Sequence, residues 1–292
     1  MKITELFERG EFVVSAEVGP PKGFHVEHLM EEAKTYLSDI TAVNVTDNQS
    51  SVMRLGSLAM CKALKDEGLT PIYQLTCRDR NRIALQSDLL SAAMFGIENL
   101  LLLTGDHTKL GDHPQAKPVF DLDSVSLIHA VTRLESGVDL GGNELVGEPP
   151  KFAKGAVVSP CSDSVDAQLA KMERKVRAGA DYFQTQAVFE PEKFIKFMEK
   201  AKEFGKPVQV GIIIPKSAGM AKFMNNNVAG IHVPDEMIEE LAKDKERTKA
   251  GITGVEIAAR IIKECRPYCQ GVHIMALGWE SKVPELLKQA GI

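Results

Sequence analysis

Hydrophobic residues along this chain fall into short, nearly continuous runs. Longer stretches separate them, in which apolar positions recur every three or four residues. The short runs are Phe12 to Glu17 (FVVSAE), Ala42 to Thr46 (AVNVT), Pro71 to Thr76 (PIYQLT) and Asn99 to Thr104 (NLLLLT). They continue with Gly155 to Ser159 (GAVVS), Tyr182 to Ala187 (YFQTQA), Val208 to Ile214 (VQVGIII) and Gly271 to Ala276 (GVHIMA). Apolar residues at consecutive rather than alternate positions mark strands covered on both faces.

The intervening segments read as amphipathic helices. Val26 to Leu37 places Leu29, Ala33, Tyr36 and Leu37 on one face. Helices are also expected over Ser51 to Asp66, Arg82 to Phe95 and Ser124 to Leu134, the last preceded by the capping residue Asp123. Ser164 to Ala178 ends at Gly179, and Pro191 to Phe204 starts on proline and ends at Gly205. Asp235 to Lys243 and Gly254 to Cys265 share the last interval, whereas Asn225-Asn226-Asn227 reads as a loop. Eight strands with interleaved helices predict an α/β protein: one closed (β/α)8 barrel, forming a single domain over residues 1–292. A doubly wound sheet rarely needs eight strands at this spacing. Neither a GxGxxG nor a GxxxxGKS/T fingerprint supports one.

The formal net charge of -5 argues against a nucleic-acid partner, although a local pocket can still be basic. No apolar stretch reaches membrane-spanning length, and the N-terminus lacks a signal-peptide core. The expectation is a cytoplasmic enzyme. The cysteines, at 61, 77, 161, 265 and 269, are odd in number and scattered, so they read as thiols rather than a disulfide framework. Cys265 and Cys269, with His273 nearby, lack the remaining ligands of a zinc site, and no metal is expected.

In a barrel of this kind, polar residues at the C-terminal strand ends point into the site. That rule selects Glu17; Thr46 with Asp47 and Asn48; Gln74 and Thr76; Thr104-Gly105-Asp106-His107; Ser159; and Gln184 with Gln186. Glu17 follows an apolar run, and a carboxylate withdrawn from water favours its protonated form, which suits general-acid work. The same residue could equally serve as an ion-pair partner in the barrel mouth. Asp106 can orient a ligand or cap the next turn. Gln186 must find partners within its strand or in a ligand. Lys175, on a helix, reads by itself as solvated. The segment Gly105 to Asp123 is long enough to be functional or mobile. Ser136 to Lys151 precedes a strand and is expected partly at the opposite end.

Taken in order, the segments SAEVGPPKG, AVNVTDNQSS, PIYQLTCRDRN, ENLLLLTGDH, KVRAGADYFQTQAVF and VGIIIP resemble the successive strand-end motifs of the methylenetetrahydrofolate reductase family across nearly the whole chain. The resemblance implies a barrel that binds FAD, or FMN as in some acetogenic relatives. It implies reduction of 5,10-methylenetetrahydrofolate with a hydride from NADH or NADPH, or with electrons from a partner carrier. That chemistry belongs to one-carbon metabolism and methionine biosynthesis. Position by position, Glu17 matches the general acid that helps open the folate's five-membered ring. Asp106 matches the aspartate near the flavin that stabilises the cationic intermediate, and Gln186 matches a glutamine contacting the pterin and the nicotinamide. Thr46 and Lys175 match flavin contacts, and Gln74, Thr104, Gly105, His107 and Ser159 fall at the remaining cofactor positions, Gln74 also facing the substrate.

The chain departs from the family pattern at several points. Gln74 stands where relatives have His, Thr104 where they often have Arg, and Ser159 where a Tyr is expected. Gly219 and Met220 stand in the loop Pro215 to Lys222 where an aromatic often packs. The resemblance is to the catalytic domain alone, without the regulatory domain of animal members. The partner is then a small zinc-containing subunit, as in acetogenic relatives, with Gly278-Trp279 as a docking surface, or else a second copy of the chain. Two other classes remain open: a flavin-free pterin methyltransferase barrel and a non-catalytic docking subunit.

Overall fold

The computed structural model describes residues 1–228 and 230–292. Eight parallel strands close into a barrel in chain order: β1 (Val13–Val18), β2 (Ala42–Val45), β3 (Pro71–Thr76), β4 (Asn99–Leu103), β5 (Ala153–Val158), β6 (Tyr182–Ala187), β7 (Val208–Ile213) and β8 (Gly271–Met275). β8 pairs back onto β1, with Ser15 beside His273. The (β/α)8 expectation holds, and the strands lie within two residues of the runs that announced them.

The helices are α1 (Ile3–Glu8), α2 (Glu27–Tyr36), α3 (Ser57–Asp66), α4 (Arg82–Met94), α5 (Ser124–Glu135) and α6 (Val165–Ala178). They continue with α7 (Pro191–Ala201), α8 (Ala218–Asn227), α9 (Asp235–Lys243), α10 (Lys245–Lys249), α11 (Ile252–Cys265) and α12 (Val283–Ala290). Among the described residues, none is long and apolar enough to cross a membrane. Side chains cap several where the sequence placed them: Asp123 accepts from Ser126 N–H, and Ser164 from Ala167 N–H.

Two expectations are corrected. The Asn225-Asn226-Asn227 run is not a loop but the end of α8. Asn225 bonds both the N–H and the carbonyl of Val233, at 2.7 and 2.9 Å, and this tertiary pairing outweighs the poor helix propensity of asparagine. The helix expected from Ser51 starts only at Ser57. Asn48, Ser50 and Ser51 all sit at positive φ, which turns the chain over the barrel mouth before α3 can begin.

Inward-facing residues form layers. At the bottom, α1 plugs the barrel, and Ile3 and Leu6 pack with Val13, Ala42, Ile72, Leu101, Ala153 and Tyr182. Gly155 makes room for the Tyr182 ring: a Cβ there would lie 2.4 Å from its Cζ. Above this comes a polar layer. Ser15, Asn44, Gln184, Gln209 and His273 are all buried and bonded to one another, where barrels of this class usually stack branched apolar residues. Ser136 to Lys151 leads from α5 into β5, at the N-terminal end of the strands.

Candidate active site

A cavity of about 520 Å³ opens at the C-terminal ends of β1 to β5. That size suits a small-molecule site. Glu17, Thr46, Gln74, Thr104, Gly105, Asp106, Ser159 and Lys175 all line it, so eight of the ten residues matched to the family's site positions converge there.

Glu17 sits next to last in β1, its side chain 13% exposed. Gln74 Nε2, on β3, donates to Glu17 Oε1 at 3.0 Å, and His273 Nε2, on β8, lies 3.3 Å from the same oxygen. Thr46 follows β2, and its Oγ1 is buried without a hydrogen-bond partner. Buried hydroxyls are seldom left so, and this one fits a ligand that supplies the missing bond. Asp106 follows β4 behind Gly105, whose φ of +91° turns the chain at the strand end. Ser51 Oγ reaches both the Asp106 and His107 carbonyls at 3.1 Å, and Arg78 bonds Ser51 Oγ and the Asn48 carbonyl, each at 3.3 Å. Buried Arg78 thereby ties the turn after β2 to the loop carrying Asp106.

Lys175, on α6, reaches the end of β5 and donates to the Val157 carbonyl at 2.6 Å. Burial, with the charge of Lys171 adding to it, brings its ammonium down to about 8. Lys171 and Arg174 line the same wall, which makes this side of the cavity cationic on a chain of net negative charge. Arg174 also lines a groove over α5 and α6 with His129 and Arg177.

Two predicted residues stand apart. His107 does not line the cavity; its Nδ1 accepts from Lys109 N–H at 3.2 Å and caps the following turn. Gln186, next to last in β6, lies outside the cavity wall. Its Oε1 accepts from Ala187 N–H at 3.0 Å, which leaves the NH2 end as the one available to a ligand. The hydroxyl of Thr104 is also engaged, accepting from Ser124 N–H at 3.1 Å. Asp47, at a strand end, serves the fold: it accepts from Thr76 and pairs with Arg80 at 2.8 Å. Trp279 is half-buried, packing against the core with Lys216 Nζ 5.1 Å from its ring centre, next to an exposed Gly278.

Arg78, Gln168, Lys171, Arg174 and His273 also build or support the site, although none of them ends a strand. Gln168, Lys171 and Lys175 recur at helical spacing on one face of α6, a signal that was available. His273 stands mid-strand in β8, and only its register with Ser15 reveals its role.

Comparison with known proteins follows this geometry. The sequence model of the family described as methylenetetrahydrofolate reductase matches residues 2–291. "Methylenetetrahydrofolate reductase 2" of Schizosaccharomyces pombe is 27% identical over all of this chain, which spans 48% of that protein. The 5,10-methylenetetrahydrofolate reductases of Salmonella typhimurium and Escherichia coli are each 26% identical over 87% of this chain and 82% of their own length. Among solved structures, a Clostridium thermocellum protein that binds two copies of 5-methyl-5,6,7,8-tetrahydrofolic acid superposes with a TM-score of 0.67. It is 14% identical and covers 99% of this chain and 98% of its own. At that identity the likeness is one of fold.

Proposed function

Because the chain belongs to the methylenetetrahydrofolate reductase family, we propose that it reduces 5,10-methylenetetrahydrofolate to 5-methyltetrahydrofolate in this cavity. A bound flavin assists, and NADH, NADPH or a partner electron carrier acts as donor. The observation that carries the reading is the placing of two carboxylates in one cavity under different conditions. Glu17 is nearly enclosed and held by Gln74, whereas Asp106 is exposed on the facing loop.

The residues present fit a flavin. The unpartnered Thr46 hydroxyl offers a hydrogen bond, and Lys171, Arg174 and Lys175 suit the phosphates. Arg174 continues from the cavity into the outer groove, which favours FAD, with its second phosphate and adenosine, over FMN. When bound, flavin supplies the hydride; the chain supplies orientation, charge and the proton. Glu17 protonates an amine nitrogen of the folate's five-membered ring. The ring opens, and the positive charge moves to the iminium that remains. Asp106, its backbone carbonyl held through the Arg78–Ser51 link, stabilises that cation by plain electrostatics. Gln186 offers its NH2 group to the pterin from β6.

The test is product analysis. The purified protein, given FAD, 5,10-methylenetetrahydrofolate and either NADH, NADPH or a reduced viologen, forms 5-methyltetrahydrofolate by chromatography with at least one donor. No product with any of the three contradicts the proposal.

A further inference from the structure

A directed chain of hydrogen bonds crosses the buried polar layer and ends at Glu17. It starts at backbone: Gln209 Nε2 lies 3.2 Å from the carbonyls of Val13 and Val272. Carbonyls only accept, so this end of the amide is the NH2 group, and Gln209 Oε1 faces Gln184. Gln184 Nε2 donates to that oxygen at 3.0 Å, while Gln184 Oε1 accepts from Asn44 Nδ2 at 2.9 Å. Both glutamines therefore turn NH2 groups toward Ser15 Oγ, at 3.3 and 3.2 Å. An amide NH2 cannot accept a proton. The Ser15 hydroxyl thus points its own at His273 Nδ1, 3.1 Å away. A ring nitrogen that accepts carries no proton, so the neutral imidazole holds its proton on Nε2. His273 Nε2 lies 3.3 Å from Glu17 Oε1, at ion-pair distance but short of hydrogen-bond geometry, a contact of the kind that tightens once substrate is in place. Gln74 Nε2 donates to the same oxygen.

We propose that Ser15, acting through His273, decides which oxygen of Glu17 carries the acid proton. Gln74 donates to Oε1 and the His273 Nε2 side lies within closing distance of the same oxygen, which makes it the carbonyl oxygen of the protonated acid. The proton therefore sits on Oε2, which receives neither donor. In the step, the Oε2–H bond breaks and an N–H bond forms on the folate amine. The ring C–N bond then breaks with its electron pair returning to that nitrogen. The other ring nitrogen's lone pair forms the iminium, and Glu17 is left a carboxylate held by two donors. The opposite tautomer would place the Nε2 lone pair against Oε1 and draw the proton toward the barrel interior instead. Ser15 and His273 are positioning residues, and their assignment rests on the reading of Glu17 as the general acid.

The experiment is long-range proton–nitrogen correlation on the full-length, flavin-loaded protein labelled with ¹⁵N-histidine, the His273 signals being identified by their loss in His273→Gln. The expected result is the Nε2–H tautomer. An Nδ1–H or doubly protonated ring overturns the proposal whatever the activity. Rapid kinetics supplies the second readout. Ser15→Ala loses the tautomer preference and slows reoxidation of the flavin by 5,10-methylenetetrahydrofolate at least about tenfold. It changes flavin reduction by the donor less than about twofold. Ser15→Thr, which keeps the hydroxyl, and His273→Gln, which keeps an N–H toward Oε1, retain most of the folate rate, whereas His273→Leu does not. A folate rate unchanged in Ser15→Ala overturns the proposal. An Nε2–H ring in a protein that reduces no folate instead contradicts the reading of the previous subsection, so the two failures are distinguishable.

Discussion

The side-chain amide of Gln74 on β3 donates a 3.0 Å hydrogen bond to Oε1 of Glu17 on β1, across the mouth of the barrel. The donor that meets the acid here is an uncharged amide. On the β3 side Glu17 therefore meets a donor that cannot compete with it for a proton, while the titratable neighbour, His273, approaches from β8. We expect Glu17→Gln to slow the folate half-reaction by about 100-fold or more while leaving reduction of the flavin by its donor nearly intact. Stopped-flow absorbance resolves the two halves. Loss of both, with flavin still bound, would contradict the role given to Glu17.

With a flavin bound as proposed, Lys175 is expected to couple its binding to pH. Burial holds its ammonium at about 8 against an ordinary value of 10.5. Between those two values the unfolded chain binds more protons than the folded one. The stability of the flavin-free protein therefore rises with pH across that window, the full cost of the buried charge being present below it. A bound phosphate favours the charged lysine, so flavin binding takes up a proton near and above pH 8, and affinity falls as pH climbs. Titration calorimetry at pH 9 in buffers of different ionisation heat should show this uptake in the wild type and not in Lys175→Met. Heats independent of buffer in the wild type would count against it.

Gly111 holds the loop that carries Asp106 against the turn after β2. A Cβ at this position would lie 1.7 Å from the Ser51 carbonyl oxygen, and neither backbone can yield without moving the other. Gly111→Ala should destabilise the protein by about 1–3 kcal/mol and weaken flavin binding as the Asp106 loop shifts. Thermal melts with and without FAD measure both effects, and an unchanged melting temperature would show the loop to be free.

The thiols should be inert. Burial pushes Cys77 up to about 12 and Cys161 and Cys269 up to about 11, and raises Cys61 and Cys265 as well. The thiolate is the reactive form, so iodoacetamide at pH 8 should leave the native protein unmodified by mass spectrometry and alkylate all five sites once it is unfolded. Rapid modification of the folded protein would contradict their placement.

The strands were legible because both of their faces are covered, which writes an unbroken apolar run such as Leu100 to Leu103 into the chain. Strand-end polarity then located Glu17, Thr46, Gln74 and Asp106 without any knowledge of the fold's contacts. What escaped depended on register or on remote partners. His273 gains its meaning only beside Ser15, from the far end of the chain. The α8 terminus at Asn225 is held by Val233, and no local pattern records that bond. Asp47 had the right position but its carboxylate is consumed by Thr76 and Arg80, and His107 had the right motif but turns away to cap its own loop.

The most direct test of the account is the visible spectrum of the purified protein, with any cofactor released by heat and identified by chromatography. The account predicts flavin absorbance, FAD on release, bleaching by NADH, NADPH or a reduced carrier, and recovery of colour on adding 5,10-methylenetetrahydrofolate without oxygen. A protein that stays colourless after reconstitution with FAD and with FMN would contradict it, and would favour a flavin-free pterin methyltransferase or a docking subunit built on the same barrel.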